Sequence, residues 1–296
     1  MKRAGLWCCV VVSGLLLGIS GCGNSQQAGE KVKVEGLDKL GDMEVVTREE
    51  GSGTRSVFAQ IVGFEGTKGD SQQSDLTTKK AVVKENAEEV MDEVASNPSA
   101  IGYVSKGTLY DLDGVKSLSI EGTSADDDSG RYSLSRDFSL AYSSELSELE
   151  QDFLTYVHGA GQKIVGNSYE TVAKESTFLS NQAAGTITIE GSTSVAPLME
   201  DLVAAYQKIN TNAKITVTAT DSSQGLTNAM SGTCDFGMAS RDLKDYEKEL
   251  LDYEVIAKDN IVVIVGKDNP LTDISLDELK AIYTGEVTKW NELNEM

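Results

Sequence analysis

The sequence predicts an α/β protein. Strand-like and helix-like runs alternate from residue 43 onward, and turns rich in glycine and hydroxyls stand between them. The strand candidates are short and dense in β-branched residues: Met43–Thr47, Ala100–Val104, Thr186–Ile189, Ile215–Ala219, Phe236–Ala239 and Ile261–Val265. The helix candidates show apolar residues at steps of three and four. Val195, Leu198, Met199, Leu202, Val203 and Tyr206 mark a helix over Val195–Lys208, and Leu146, Leu149, Phe153, Tyr156 and Val157 mark one over Glu145–Val157. A shorter helix is predicted over Asp273–Tyr283, and further helices open after Gly53 and around Leu226–Met230. These stripes read as core-facing surfaces, with no cofactor implied.

The first residues form a targeting signal. Lys2 and Arg3 precede a nearly unbroken apolar run from Leu6 to Ile19, too short for a membrane span. The run ends in Ile19-Ser20-Gly21-Cys22, an aliphatic residue three before a cysteine with small residues between. That is the lipoprotein form of the signal. Residues 1–21 would be removed, and Cys22 would carry the lipid that anchors the protein to the extracytoplasmic face of the cell membrane. Residues 22–42, polar after the cysteine, read as a flexible tether.

The chain has 26 basic and 47 acidic residues, a net charge of −21, and loss of Lys2 and Arg3 makes it more negative. Such a surface repels nucleic acid, and it also repels free anions at long range. An anion site on this protein must therefore work through local dipoles and hydrogen bonds. Cys8 and Cys9 leave with the signal, so Cys234 stands without a disulfide partner and reads as a buried, inert thiol. The one histidine, His158, sits at a predicted helix end, a common structural placement for a cation. The run Asp126-Asp127-Asp128 lacks the alternation and distal glutamate of a calcium loop and reads as solvated.

Three turns fit one anion site. Gly191-Ser192-Thr193-Ser194 opens the Val195 helix, Asp221-Ser222-Ser223-Gln224-Gly225 follows the Ile215–Ala219 strand, and Gly51-Ser52-Gly53-Thr54 follows Arg48. Glycine lets the backbone approach a ligand, hydroxyls donate, and an arginine supplies a forked pair of charge-assisted bonds. Helix N-termini add a positive dipole end. Taken singly, each turn could be no more than a helix cap.

The run Arg48-Glu49-Glu50-Gly51-Ser52-Gly53-Thr54-Arg55 resembles the signature of the phosphate-binding proteins of Pst ABC transporters, the PstS family. Gly191-Ser192-Thr193-Ser194-Val195-Ala196-Pro197 resembles that family's first phosphate loop. Ser222-Ser223-Gln224-Gly225, with Gly232 to Arg241 after it, resembles the second. Ile282-Tyr283-Thr284-Gly285-Glu286-Val287-Thr288-Lys289-Trp290-Asn291-Glu292-Leu293 resembles the segment that in the family leads into the arginine motif. Here the later half of the family pattern, about 43–180, precedes the earlier half, about 186–296, with nothing duplicated. The resemblance thus implies a two-lobed periplasmic-binding-protein-like fold of type II, circularly permuted and joined near Asn181–Gly185. One lobe would be continuous over 131–266, and the other would be assembled from 43–130 with 267–296.

By position, the resemblance implies phosphate contacts from Thr193, Ser194, Ser222, Arg48, Ser52, Gly53 and Thr54. Glu50 takes the place of the acid that orients the arginine. Ser240 stands where many members carry an aspartate that accepts the proton of hydrogen phosphate. The implied partners are inorganic phosphate and the permease and ATPase subunits of an ABC transporter, for a monomer needing neither metal nor cofactor. Two other readings stay open. One is binding of another oxyanion such as sulfate or molybdate, or phosphate sensing without transport. The other is a surface phosphoester hydrolase using Ser52 or Ser192, which would need a base that no motif supplies.

Overall fold

The computed structural model describes residues 33–66, 75–109, 114–127, 129–143 and 145–296. The signal peptide, Cys22 and the first part of the expected tether lie outside the described residues. In chain order the strands are β1 Glu44–Arg48, β2 Val82–Lys84, β3 Ala100–Ser105, β4 Val115–Ser117, β5 Ser119–Ile120, β6 Ser135–Tyr142, β7 Gly185–Ser192, β8 Ala213–Thr220, β9 Phe236–Ala239, β10 Asp252–Gly266 and β11 Asp273–Ile274. The helices are α1 Gly53–Val62, α2 Ala87–Ser96, α3 Glu148–His158, α4 Gln162–Val165, α5 Ala196–Ile209, α6 Ser222–Met230, α7 Asp245–Lys248 and α8 Leu276–Thr284.

One sheet runs through the molecule in the order β2-β1-β3-β10-β6-β9-β7-β8, with β4 also on β10. Its two wings are parallel, β2-β1-β3 and β9-β7-β8, as crossover helices require. The middle is antiparallel: β10 pairs β3 through Ile261–Val265 and β6 through Asp252–Asn260. This one strand, offset by an irregularity between Val255 and Ala257, therefore serves both wings.

Three apolar clusters pack among the described residues: a small one of Ala141, Leu226, Ala229, Cys234, Ala239, Leu243 and Leu251, and two large cores, one on each wing. The first large core gathers Val45, Phe58, Val90, Ile101 and Tyr103 with Ile261–Val265, Ile282, Tyr283 and Trp290. Early and late parts of the chain thus share one core. The second gathers Phe138, Phe153, Ile189, Met199, Tyr206, Phe236 and Ile256. Core membership changes between Leu134 and Phe138 on the way out and between Ala257 and Ile261 on the way back. The expected continuous lobe, 131–266, thus contains residues of both large cores. Tyr132, Leu134 and Ile261–Val265 pack in the composite core, because β10 follows β3 once it has left β6.

The tether reading fails for its described part, 33–42. Leu37 is buried in the composite core, and Val34 exchanges backbone hydrogen bonds with the Asn294 amide at 2.8 and 3.0 Å. Met43 N donates to Thr288 O and Trp290 N to Gly41 O. A polar composition concealed one apolar anchor and a backbone that pairs with the last turn of the chain. The join near Asn181–Gly185 is held by Asp152 of α3, which accepts from Ser180 Oγ, Asn181 N and the Tyr206 hydroxyl.

Other elements shift for visible reasons. The Asp273–Tyr283 run starts as strand β11 on β5, and the helix begins only after Ser275, whose capping box with Glu278 fixes α8. The Ile261–Val265 strand is the apolar end of a 15-residue strand. Among the described residues, no helix is long and apolar enough to cross a membrane.

Candidate oxyanion site

Each element of the site begins at the carboxyl end of a strand, where open α/β sheets place ligands. Strand β1 is buried along Val45–Arg48 and delivers Arg48 at its end. The chain then reverses through Gly51, at φ 93°, and Ser52 caps α1 by accepting from Arg55 N. Strand β7 ends in Ser192, and Thr193 and Ser194 lead into α5. Strand β8 leads to Asp221, which caps α6 at Gln224 N and leaves Ser222 as the first helical residue. Strand β9 ends one residue before Ser240. Three helices of 10, 14 and 9 residues thus direct their N-termini to one region.

The hydrogen bonds show that these turns meet. Arg48 is 1% exposed, and its Nη2 donates to Thr193 Oγ1 at 2.8 Å and to Glu85 O at 2.9 Å. Thr54 Oγ1 lies 2.9 Å from Ser194 Oγ. Ser240 Oγ accepts from Ser192 Oγ at 2.9 Å and lies 3.3 Å from Ser222 Oγ, while Ser240 N donates to Ser222 Oγ at 3.2 Å. The Gly51 carbonyl accepts from Ser223 N and Oγ, both at 3.3 Å. Gly53 must be glycine here: a Cβ would collide with Ser222 Oγ and come within 2.5 Å of Ser240 Oγ.

Arg48, Gly53, Thr54, Thr193, Ser194, Ser222 and Ser240 therefore converge, and Ser52 contributes as the cap of α1. Glu50 does not orient the arginine. It is exposed, and Glu49 takes that part, accepting from Arg48 Nε at 2.8 Å and Nη2 at 2.9 Å. The reason is local: the chain leaves the strand after Arg48, so Glu49 folds back on its neighbour while Glu50 rides the outside of the turn. Burial pushes the Glu49 carboxyl above its ordinary range, with Arg48 opposing and Asp221 adding to the rise. Arg55 points away from the turns, to Asp75 at 2.6 and 3.1 Å and to Arg48 O at 2.9 Å.

Two site groups escaped the sequence reading. Arg136 of β6 donates from Nη1 to Thr54 Oγ1 at 2.6 Å and is paired with Asp259 of β10 at 2.8 Å, each side chain 1% exposed. Burial lowers the Arg136 pKa and raises that of Asp259. The alternation of Arg136, Phe138 and Leu140 was the available signal. Beside the turns, a cavity of about 580 Å³ is lined by Glu49, Glu85, Thr193, Glu200 and Asp221 among others. This acidic approach leaves attraction of an anion to the close-range donors.

Chemically, the arrangement offers hydroxyls, helix N-termini and a buried guanidinium. Among the described residues it brings no nucleophile together with a base: Ser192 Oγ donates to Ser240, Ser52 Oγ accepts from Arg55 N, and His158 lies against Glu254.

A model of the PBP superfamily domain matches residues 176–295. The phosphate-binding protein PstS 2 of Streptococcus pneumoniae serotype 4 is 38% identical over 282 residues, 93% of this chain and 94% of that protein. PstS 2 of Streptococcus agalactiae serotype V is 35% identical over 303 residues, 99% of this chain and all of that protein. The crystal structure of a phosphate-binding protein of a phosphate ABC transporter from S. pneumoniae TIGR4 superposes with a TM-score of 0.70, at 40% identity, covering 85% of this chain and 99% of that one. The alignments run collinearly over nearly the whole chain, so the order of the two halves is shared with these streptococcal proteins.

Proposed function

The chain belongs to the PstS family of phosphate-binding proteins, and from that membership we propose that it binds one inorganic phosphate among the three hydroxyl turns and delivers it to an ABC permease. One observation carries the reading. Arg48, buried at the end of β1, reaches across to Thr193 before α5, so both wings supply donors to one place. A tetrahedral anion there would replace hydroxyl–hydroxyl contacts such as Thr54 with Ser194, and would meet donors already oriented. Closure of the two wings around the ligand would occur along the β6–β10 crossing, where core membership changes. The protein acts by binding and release, without turnover.

The lipoprotein box at Cys22 supports the second half of the proposal. The mature protein is held at the extracytoplasmic face by lipid on Cys22 and works as a monomer beside its permease and ATPase subunits. Titration calorimetry of residues 23–296 tests the ligand. Phosphate should bind one to one with measurable heat, and sulfate, arsenate and molybdate in the same series define selectivity. The absence of heat at millimolar phosphate would contradict the assignment.

A further inference from the structure

Arg136 and Asp259 are direct cross-strand partners on β6 and β10. They stand in the short stretches that belong to neither core, between Leu134 and Phe138 and between Ala257 and Ile261. Asp259 Oδ2 accepts from Arg136 Nε at 3.0 Å and Nη2 at 2.8 Å, and Asp259 Oδ1 accepts from Gly107 N at 3.4 Å. The remaining nitrogen, Nη1, donates to Thr54 Oγ1 at 2.6 Å and, more weakly, to Ser240 O at 3.4 Å. One guanidinium thus touches the crossing strand, the α1 wall of the site and the β9 wall.

The direction of these bonds matters. A guanidinium only donates, so Thr54 Oγ1 must accept from it, and the Thr54 proton is left to point elsewhere. In this structure the group within reach of that proton is Ser194 Oγ at 2.9 Å. We propose that Arg136, held by Asp259 at the crossing of the two wings, is a positioning residue that fixes the Thr54 hydroxyl as a donor to the bound phosphate. The proposal rests on the phosphate reading above. The plain alternative is a buried ion pair that only ties β6 to β10.

The test is a double-mutant cycle in phosphate affinity, measured by calorimetry on the full chain in detergent. Arg136→Lys keeps the charge and can still meet Asp259, but it loses the fork that reaches Thr54. Thr54→Val removes the hydroxyl and keeps the shape. Each single variant should melt close to wild type and lose affinity about ten- to hundredfold, the size of one hydrogen bond involving a charged group. The double variant should lose little beyond either single one, since both changes remove the same donor. Wild-type affinity in Arg136→Lys, or losses that multiply in the double variant, would overturn the proposal. Should Arg136→Lys fail to fold, Arg136→Met with Asp259→Leu takes its place, because removing both partners of a buried pair is often tolerated. The same two outcomes then decide. A wild type that gives no heat with phosphate would instead remove the phosphate reading, and this proposal with it.

Discussion

Replacing Arg48 with alanine separates binding from folding most sharply when compared with the same change at Arg55. Arg48 makes two bonds to Glu49, one to the Glu85 carbonyl and one to Thr193 Oγ1. Arg48→Ala removes the charged donor facing the hydroxyl turns. It also leaves Glu49, a partly buried carboxylate whose pKa burial already raises, without its counter-charge beside the incoming anion. Truncating one partner of a buried, hydrogen-bonded charge pair costs about 2–5 kcal/mol. At 1.4 kcal/mol per decade, phosphate affinity should fall by roughly 30-fold to several thousandfold. Arg55 instead holds Asp75, itself 1% exposed, and the Arg48 carbonyl. Arg55→Ala strands a buried carboxylate, so its cost of about 3–5 kcal/mol should appear in stability. Calorimetry with phosphate and thermal melting, run on both variants, read the two quantities separately. An Arg48→Ala protein with wild-type affinity, or an Arg55→Ala protein that melts normally but cannot bind, would refute the assignment.

Further outcomes follow from single contacts. Gly53→Ala should abolish phosphate binding in a folded protein, since the added methyl meets Ser222 and Ser240 hydroxyls; calorimetry and circular dichroism together check this. Burial acts to raise the Asp75 carboxyl, but its bonds from Arg55 and Thr77 outweigh that and hold it below its ordinary range. The pair's stabilisation is therefore complete above the ordinary carboxylate range and lost as pH falls through the lowered value, so Asp75→Asn should flatten the acid limb of melting temperature against pH. Sulfate, unprotonated near neutral pH, should be rejected less strongly than by Ser240→Asp, because a serine hydroxyl can donate or accept; equal phosphate-to-sulfate ratios at two pH values would show that another acid reads the proton. Cys22→Ser should release the protein to the medium or block processing, and a variant that stays membrane-bound at the same processed mass would contradict the lipid anchor.

Much of this was legible because local pattern and tertiary role agreed. The β-branched Thr186–Ile189 run and the apolar three-and-four spacing of Val195–Tyr206 led to β7 and α5 nearly in place. The Ser/Thr turns between them are short, so position along the chain fixed which hydroxyls reach the site. Elsewhere the pattern was present but weak. Strand β6 carries Arg136 and Asp137 at its start, and the first part of β10 reads Asp252, Glu254, Lys258, Asp259, so charge hid their extent; the family resemblance implied only crossover strands near 129–138 and 262–268. Helix α2 had its Asn86 cap and Val90, Met91 and Val94 stripe but lies among acidic residues. Whether Glu49 or Glu50 serves Arg48 depends on how the chain leaves β1, which no spacing rule encodes. Arg136 and Asp259 are 123 residues apart and become a site feature only when β6 and β10 pair.

A crystal structure of the protein grown with phosphate tests the central claim most directly. One phosphate should lie in contact with Arg48, Thr54, Ser194 and Ser222, with the Thr54 hydroxyl turned from Ser194 toward the anion. A phosphate bound elsewhere, or the same hydroxyl contacts left intact at saturating phosphate, would contradict it.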